Sequence, residues 1–200
     1  VRLDGLTTDV QYRFRVVATD AAGNSTVQVG VGTPHYVADP DAPYIGVWYG
    51  DVQSFGQIGN PQTWVNILGH VTDDDGIAAL SYRLNGGASV ALNFRADTRR
   101  IERNGDFNCD IKTADLREGV NTVSITAVDL GGRVTIRNVT VNFTRQNTWP
   151  LPYHIDWSQV DDINDVAQVT DGYWMVDGDV ARPVEIGYDR MFNIGDLTWQ

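Results

Sequence analysis

Three histidines, one cysteine and a scatter of aspartates are the side chains in this 200-residue sequence with the chemistry of a reactive site. His35, His70 and His154 lie far apart, none stands in a nucleophile motif, and Gly-x-Ser-x-Gly is absent. They read as structural or surface residues. A lone Cys109 forbids an intrachain disulfide framework and a cysteine-based zinc site, and it reads as a small buried apolar residue. Paired carboxylates hydrolyse glycosides when they face each other across a cleft. Asp73, Asp74, Asp75, Asp106, Asp110 and Asp115 supply acids, but no spacing fixes a distance between any two. The expectation is a chain that is not itself an enzyme.

Binding chemistry is better represented. Asp73-Asp74-Asp75-Gly76 gathers three carboxylates into one turn, and Ca²⁺ takes about six to eight oxygens, many of them from carboxylates. Asp73, Asp74 and Asp75 are therefore candidate metal ligands, with calcium the candidate ion and Asp39 and Asp41 a second group. The plain alternative is a polar turn with a glycine at positive φ. The stretch from Trp48 to Trp64 combines aromatic rings with amides and an acid, the composition that stacks on sugar faces and bonds their hydroxyls. Trp48, Tyr49, Gln53, Phe55 and Gln62 are its candidate carbohydrate ligands. Arg100 belongs to a second polar cluster, with Arg99, Arg103, Asp106 and Asn108, that could face it. The connection also reads as a long one between strands, and such loops often carry function. Against this, Trp48 and Trp64 could be core anchors, and Phe55 could fold under its own loop.

Charge narrows the partners. Against 26 Asp+Glu there are 15 Lys+Arg, a net charge of −11. That excess repels phosphate backbones and anionic lipid heads, so nucleic acid is not an expected partner. No apolar run approaches the ~18 residues a membrane span requires, so membrane insertion is not expected. Carbohydrate, a cell-surface protein and neighbouring domains of the same polypeptide remain. Residue 1 is Val with no signal segment before it, and Gly195–Gln200 give no stop signal. Both ends read as cut.

The elements that must hold these residues are strands. Short runs of Val, Ile, Thr, Tyr and Phe alternate with Gly, Asn and Asp clusters throughout, which predicts an all-β chain. Residues 133–143 read as one strand alternating with period two, expected to place Val, Ile and Phe on one face. Seven strands are expected between 44 and 145: 44–49, 64–71, 77–84, 88–94, 107–111, 120–129 and 132–143. Asn85-Gly86-Gly87 is a hairpin turn signal. The one weak helical stretch is 158–166, with Ser158 as its cap. An internal repeat organises the chain: residues 16–24 recur loosely as 125–133, each a strand, an Asp, a Gly-containing turn and a second strand. The spacing is about 108 residues, roughly one β-sandwich module. Asn24, Asn138 and Asn142 head Asn-x-Ser/Thr sequons, a number near chance in an Asn- and Thr-rich chain.

Three segments resemble known families. Leu3-Asp4-Gly5-Leu6, followed by Tyr12-Arg13-Phe14-Arg15-Val16, resembles the end of a fibronectin type III domain over residues 1–34. That resemblance makes Tyr12 the tyrosine-corner residue, and Asp20–Ser25 resembles the closing turn of secreted bacterial versions. Residues 35–43, with Pro40 and Pro43 inside and Pro34 just before, read as a stiff linker. Residues 44–145, through Asp73–Ile77, Ser81–Gly87 and Leu116–Asn121, resemble a bacterial immunoglobulin-like domain. From Gln146, Trp149-Pro150-Leu151-Pro152-Tyr153 reads as a rigid connector. Val169–Val176 and Glu185–Arg190 then resemble the first strands of a concanavalin- or laminin-G-like jelly roll. The expected architecture is tandem Ig-like and fibronectin III-like β-sandwiches with a truncated jelly-roll-like C-terminal segment. These resemblances imply a non-catalytic spacer and recognition segment of a larger secreted or cell-surface bacterial protein, associated with carbohydrate binding. A calcium-stiffened adhesion module, or a fragment of a glycan-degrading enzyme whose catalytic domain lies elsewhere, are the alternatives.

Overall fold

A computed structural model of the chain describes residues 10–33, 42–74, 76–187 and 189–196. The protein is all-β and divides into two compact units, Val1–Pro40 and Asp41–Gln200.

In the first unit, β1 (Tyr12–Thr19) and β2 (Ser25–Gly32) form an antiparallel hairpin, paired from Thr19↔Ser25 to Tyr12↔Gly32. The Asp20 amide donates to the Asn24 carbonyl (2.9 Å) and the Gly23 amide to the Asp20 carbonyl (3.1 Å). The Asp20 carboxylate accepts from the amides of Ala22 and Asn24, each at 2.9 Å. Gly23 sits at φ +89°, the left-handed position that closes a three-residue hairpin loop. Residues 1–9, the upstream part of the fibronectin-like motif, and the linker residues 34–41 lie outside the described residues.

The second unit begins with a β-sandwich. Its strands are β3 (Tyr44–Val47), β4 (Val52–Phe55), β5 (Trp64–Thr72), β6 (Ile77–Leu84), β7 (Val90–Ala91), β8 (Asp106–Lys112), β9 (Gly119–Asp129) and β10 (Val134–Phe143). They form a three-stranded sheet, β3-β5-β8, and a five-stranded sheet, β4-β10-β9-β6-β7. Pairing is antiparallel except between β4 and β10. Period-two alternation builds the core. Val65, Ile67, Phe107, Cys109 and Ile111 from one sheet meet Val123, Ile125, Ala127, Val139 and Val141 from the other. All are at most 2% exposed, as expected of a sandwich whose inner faces interdigitate. The β9–β10 turn repeats the first unit's hairpin. The Asp129 amide bonds the Arg133 carbonyl (3.1 Å) and the Gly132 amide bonds the Asp129 carbonyl (3.2 Å). The Asp129 carboxylate again accepts the amide four residues on (2.8 Å), and Gly132 is at φ +83°.

Four local expectations change. The connection after Trp48 is not one long loop, because Val52–Phe55 forms β4 and pairs Phe55 with Phe143. The polar content of Val52-Gln53-Ser54-Phe55 hides a strand at the sheet edge. The strand expected over 88–94 is only Val90–Ala91. In place of a helix over 158–166 there are two 3₁₀ turns, Trp157–Gln159 and Ile163–Asp165. Asp156, not Ser158, caps the first by accepting from the Ser158 amide. Phe55 lies in the sandwich core and not beneath its own loop.

The chain after β10 belongs to the same compact unit as the sandwich. It carries β11 (Gln168–Asp171), β12 (Trp174–Asp177), β13 (Val180–Pro183) and β14 (Met191–Asn193), paired β11 with β14 and β12 with β13. Trp149 anchors its start: the indole is buried, donates to the Asn60 carbonyl (2.9 Å) and lies so close over Gly59 that any Cβ there would overlap it. A second apolar cluster forms from Leu68, Ile163, Ala167, Val169 and Val176, with Trp48, Tyr49 and Trp174 against it. Leu68 alternates with Ile67 along β5 and so points out of the sandwich. The C-terminal layer therefore covers the outward face of the three-stranded sheet.

Candidate functional site

The C-terminal layer does not cover that outward face completely. At its edge an open groove of about 660 Å³ is lined by Gln62, Thr63, Trp64, Asn66, Arg100 and Asp110 from the sandwich and by Thr170, Met191 and Asn193 from the layer. Its size falls within the ~300–1,000 Å³ of small-ligand sites. Trp64 opens β5 on the outward face and keeps 41% of its surface exposed. Its cross-strand partner Lys112 holds its ammonium 5.3 Å from the ring centre, a cation–π contact. Asn66, two residues on, lies on the same face. Its Nδ2 donates to Asn108 Oδ1 (3.2 Å) and to Asp110 Oδ1. An ionised carboxylate only accepts, so the Asp110 contact fixes the orientation of the Asn66 amide.

A chain of alternating charges forms one side of the groove. Arg100 donates from Nη1 and Nη2 to the two oxygens of Asp110 (2.8 and 3.0 Å), and from Nε to Asp171 Oδ2 (2.8 Å). Nη2 also reaches the Thr170 carbonyl (3.2 Å). Arg190 then donates from Nη1 to Asp171 Oδ1 (3.1 Å). Burial opposes the charge on Arg100, but Asp110 and Asp171 more than offset it and raise its pKa. Burial raises the Asp171 pKa, and the two guanidinium partners only partly oppose that. Among the described residues, two buried polar side-chain atoms have no hydrogen-bond partner, Asn66 Oδ1 and Arg190 Nε. One belongs to a residue lining the groove and the other to this charge chain. Buried polar groups are nearly always paired, and exceptions concentrate at strained or functional sites.

The residues expected to bind carbohydrate fall in different places. Gln62 and Arg100 line the groove. Trp48 stacks on Tyr173 with ring centres 5.5 Å apart. The Tyr49 hydroxyl donates to the Gly172 carbonyl (2.9 Å) and accepts from the Trp174 amide (2.8 Å), and burial pushes its pKa well up. Both rings pack against the C-terminal layer. Gln53 is buried, donating to the Gly50 carbonyl (3.0 Å), and Phe55 is in the core. None of these four lines the groove. Of the 99–108 cluster, Arg100 lines the same groove as Gln62 and Trp64, and Arg103 pairs with Glu185 of the C-terminal layer. Thr63, Trp64, Asn66, Asp110, Thr170, Met191 and Asn193 complete the groove; Thr63 and Trp64 belong to the stretch read as carbohydrate-binding, and the other five were not expected there. The one sequence signal was Asn66, a lone amide inside the apolar run Val65–Leu68.

Among the described residues, no group of three or more His, Cys, Asp or Glu side chains is arranged to hold a metal ion. Asp73 and Asp74 open the β5–β6 turn, where the Gly76 amide bonds the Asp73 carbonyl (3.2 Å). Asp75, Asp39 and Asp41 lie outside the described residues. His70 Nδ1 and Asp106 Oδ1 are 2.7 Å apart, and the Arg103 amide also donates to Asp106 (3.3 Å). Cys109 is fully buried, and burial pushes its thiol pKa well up.

No protein-family model matches the chain, and a search of curated proteins finds no match. Among solved structures it is similar to an endo-β-1,4-mannanase from Thermotoga petrophila, at 10% identity and TM-score 0.40 over 55% of this chain and 21% of that one. It is similar to the fibronectin(III)-like modules of CbhA from Clostridium thermocellum, at 17% identity and TM-score 0.35 over 74% of this chain and 68% of theirs. A third likeness is to a 1.5-MDa bacterial ice-binding adhesin, at 18% identity and TM-score 0.30 over 67% of this chain and 42% of that one. The chain thus spans about a fifth of the mannanase, 21% of its length. At these identities and scores the likenesses assign no activity.

Proposed function

We propose that this chain is a non-catalytic segment of an extracellular protein and that its second unit binds a neutral glycan in the groove beside Trp64. One observation carries the reading: an exposed indole borders a groove that the amide residues Gln62, Asn66 and Asn193 also line. A pyranose offers an apolar C–H face for such a ring and hydroxyls that both donate and accept, as carboxamides also do. The groove's guanidinium is already spent on Asp110, Asp171 and the Thr170 carbonyl, so an acidic sugar would find no free cation there in Arg100. With a net charge of −11, the chain as a whole also disfavours acidic polymers. The fibronectin-like hairpin of the first unit and the sandwich then serve as the scaffold and spacer for this site.

The test is a fluorescence titration of the whole chain with mannohexaose, cellohexaose and xylohexaose, with oligogalacturonate as the acidic control. A saturable change with a neutral oligomer is expected, lost in Trp64→Ala while the unfolding midpoint is kept. Absence of binding to every neutral oligomer, or undiminished binding by Trp64→Ala, would overturn the reading.

A further inference from the structure

We infer that the docked C-terminal layer supplies one wall of this glycan site and that Arg190 is its positioning residue, so that glycan binding and docking of the layer are coupled. The inference rests on the glycan reading of the groove. The groove is composite: Gln62, Trp64, Asn66 and Asp110 come from the sandwich, Thr170, Met191 and Asn193 from β11 and β14. The layer's wall is internally ordered. Thr170 Oγ1 donates to the Met191 carbonyl (3.0 Å), and Asn193 Nδ2 donates to Thr170 Oγ1 (3.4 Å).

Beside the apolar cluster under the layer, a short set of bonds around Arg190 ties this wall to the sandwich at the groove. That residue directly precedes β14 and does not itself line the groove. Its side chain is 7% exposed, and Nη1 reaches both Asp171 Oδ1 (3.1 Å) and the Arg100 carbonyl (3.4 Å). A slot is kept open for it: a Cβ at Gly172 would overlap its Cδ, and a Cβ at Gly187 would crowd its guanidinium. Through Asp171 it is linked to Arg100, which lines the groove and spans both parts by bonding Asp110 and Thr170. Across the groove mouth, Gln62 bonds Gln168 and Gly195, and Gln168 bonds the Trp64 carbonyl (2.7 Å). These links between the walls pass through residues in or next to the groove. A ligand touching both walls binds the docked state more tightly than any loosened one, and by linkage it must stabilise docking by the same factor.

The experiment uses the whole chain and mannohexaose as probe, or whichever neutral hexasaccharide binds in the titration above. Arg190→Ala is expected to weaken binding about tenfold, within the usual span of such couplings. In the wild type, saturating oligosaccharide is expected to slow hydrogen exchange at Val169 and Phe192, in β11 and β14, about fivefold or more, and to leave Val123 in β9 unchanged. Wild-type affinity in Arg190→Ala, or unchanged exchange at Val169 and Phe192 under saturation, would overturn the coupling. If Arg190→Ala does not fold, the wild-type exchange measurement decides alone. A wild type that binds no oligosaccharide overturns the glycan reading itself, a result distinct from binding without coupling.

Discussion

On the inward face of β5, Val65, Ile67 and Val71 meet only apolar neighbours from the opposite sheet. On the outward face, Trp64, Asn66, Leu68 and His70 each meet a different environment: the groove edge, an amide–carboxylate cluster, the second apolar cluster and Asp106. The difference teaches how one strand serves two purposes. The inward face is specified by burial alone, which is non-directional and tolerant of any well-fitting apolar side chain. The outward face is specified by particular hydrogen bonds and charges, and only Leu68 on it relies on burial. Burial therefore concentrates on one side of the strand and the proposed groove on the other.

The strongest way to break this contrast is to empty the inward face. Phe107→Ala removes a ring that is 1% exposed, and it is expected to cost about 3–5 kcal/mol, read as a lower denaturant midpoint. Leu68→Ala on the outward side is expected to cost less, near the lower end of the ~2–5 kcal/mol range for such truncations. It should also speed hydrogen exchange in β11 before it affects β9. Equal loss of protection in β9 would mean that the two faces are not energetically separate.

Two carboxylates sharpen the comparison through pH. The folded-state pKa of Asp171 is raised by burial. As pH rises from about 4, the ordinary carboxylate value, through that raised value, the folded state loses stability relative to one lacking the charge. Asp171→Asn should therefore gain on the wild type as pH climbs through this window. Asp129 behaves oppositely: although burial opposes its charge, the Arg133 amide and guanidinium hold its pKa down. Its contribution is present above about pH 4 and is lost as pH falls through the lowered folded value. Asp129→Asn should thus be less stable than the wild type at neutral pH and converge on it in acid. Chemical denaturation of the three proteins between pH 3 and about 7 checks both signs. The smallest effect on stability is expected from Trp64→Ala, about 1 kcal/mol or less, because the ring is 41% exposed. A larger loss would make Trp64 part of the scaffold.

Much of the scaffold could be read from residue order. Apolar and β-branched runs located β5, β6, β9 and β10 to within a few residues of their ends. Alternation fits β9, but in β10 its phase shifts at Asn138, so Val139, Val141 and Phe143 are buried while Val134 and Ile136 are exposed. The repeated Asp-x-x-Gly turn marked both hairpins, because a left-handed glycine and an Asp accepting nearby amides are local features. The strand Val52–Phe55 was hidden, because at a sheet edge its pairing depends on β10, eighty-eight residues away at Phe143↔Phe55. The groove was largely invisible for the same reason. Trp64, Asp110 and Asn193 come together only after the C-terminal layer folds back on β5, and no local pattern encodes that return. Trp48 and Tyr49 pack against the C-terminal layer, and rings that pin one layer to another have the same composition as rings that stack on sugars. Gln62, Trp64 and Arg100 were legible as polar or aromatic candidates and do line the groove.

The most direct test of the account maps a bound oligosaccharide onto the two faces of β5 by nuclear magnetic resonance, with mannohexaose, cellohexaose and xylohexaose as probes. The account predicts saturable shifts at the Trp64 indole N–H and at the side-chain amides of Gln62, Asn66 and Asn193, with Ile125 and Val139 in the core unmoved. Shifts confined to other surfaces, or none with any of the three, would contradict it.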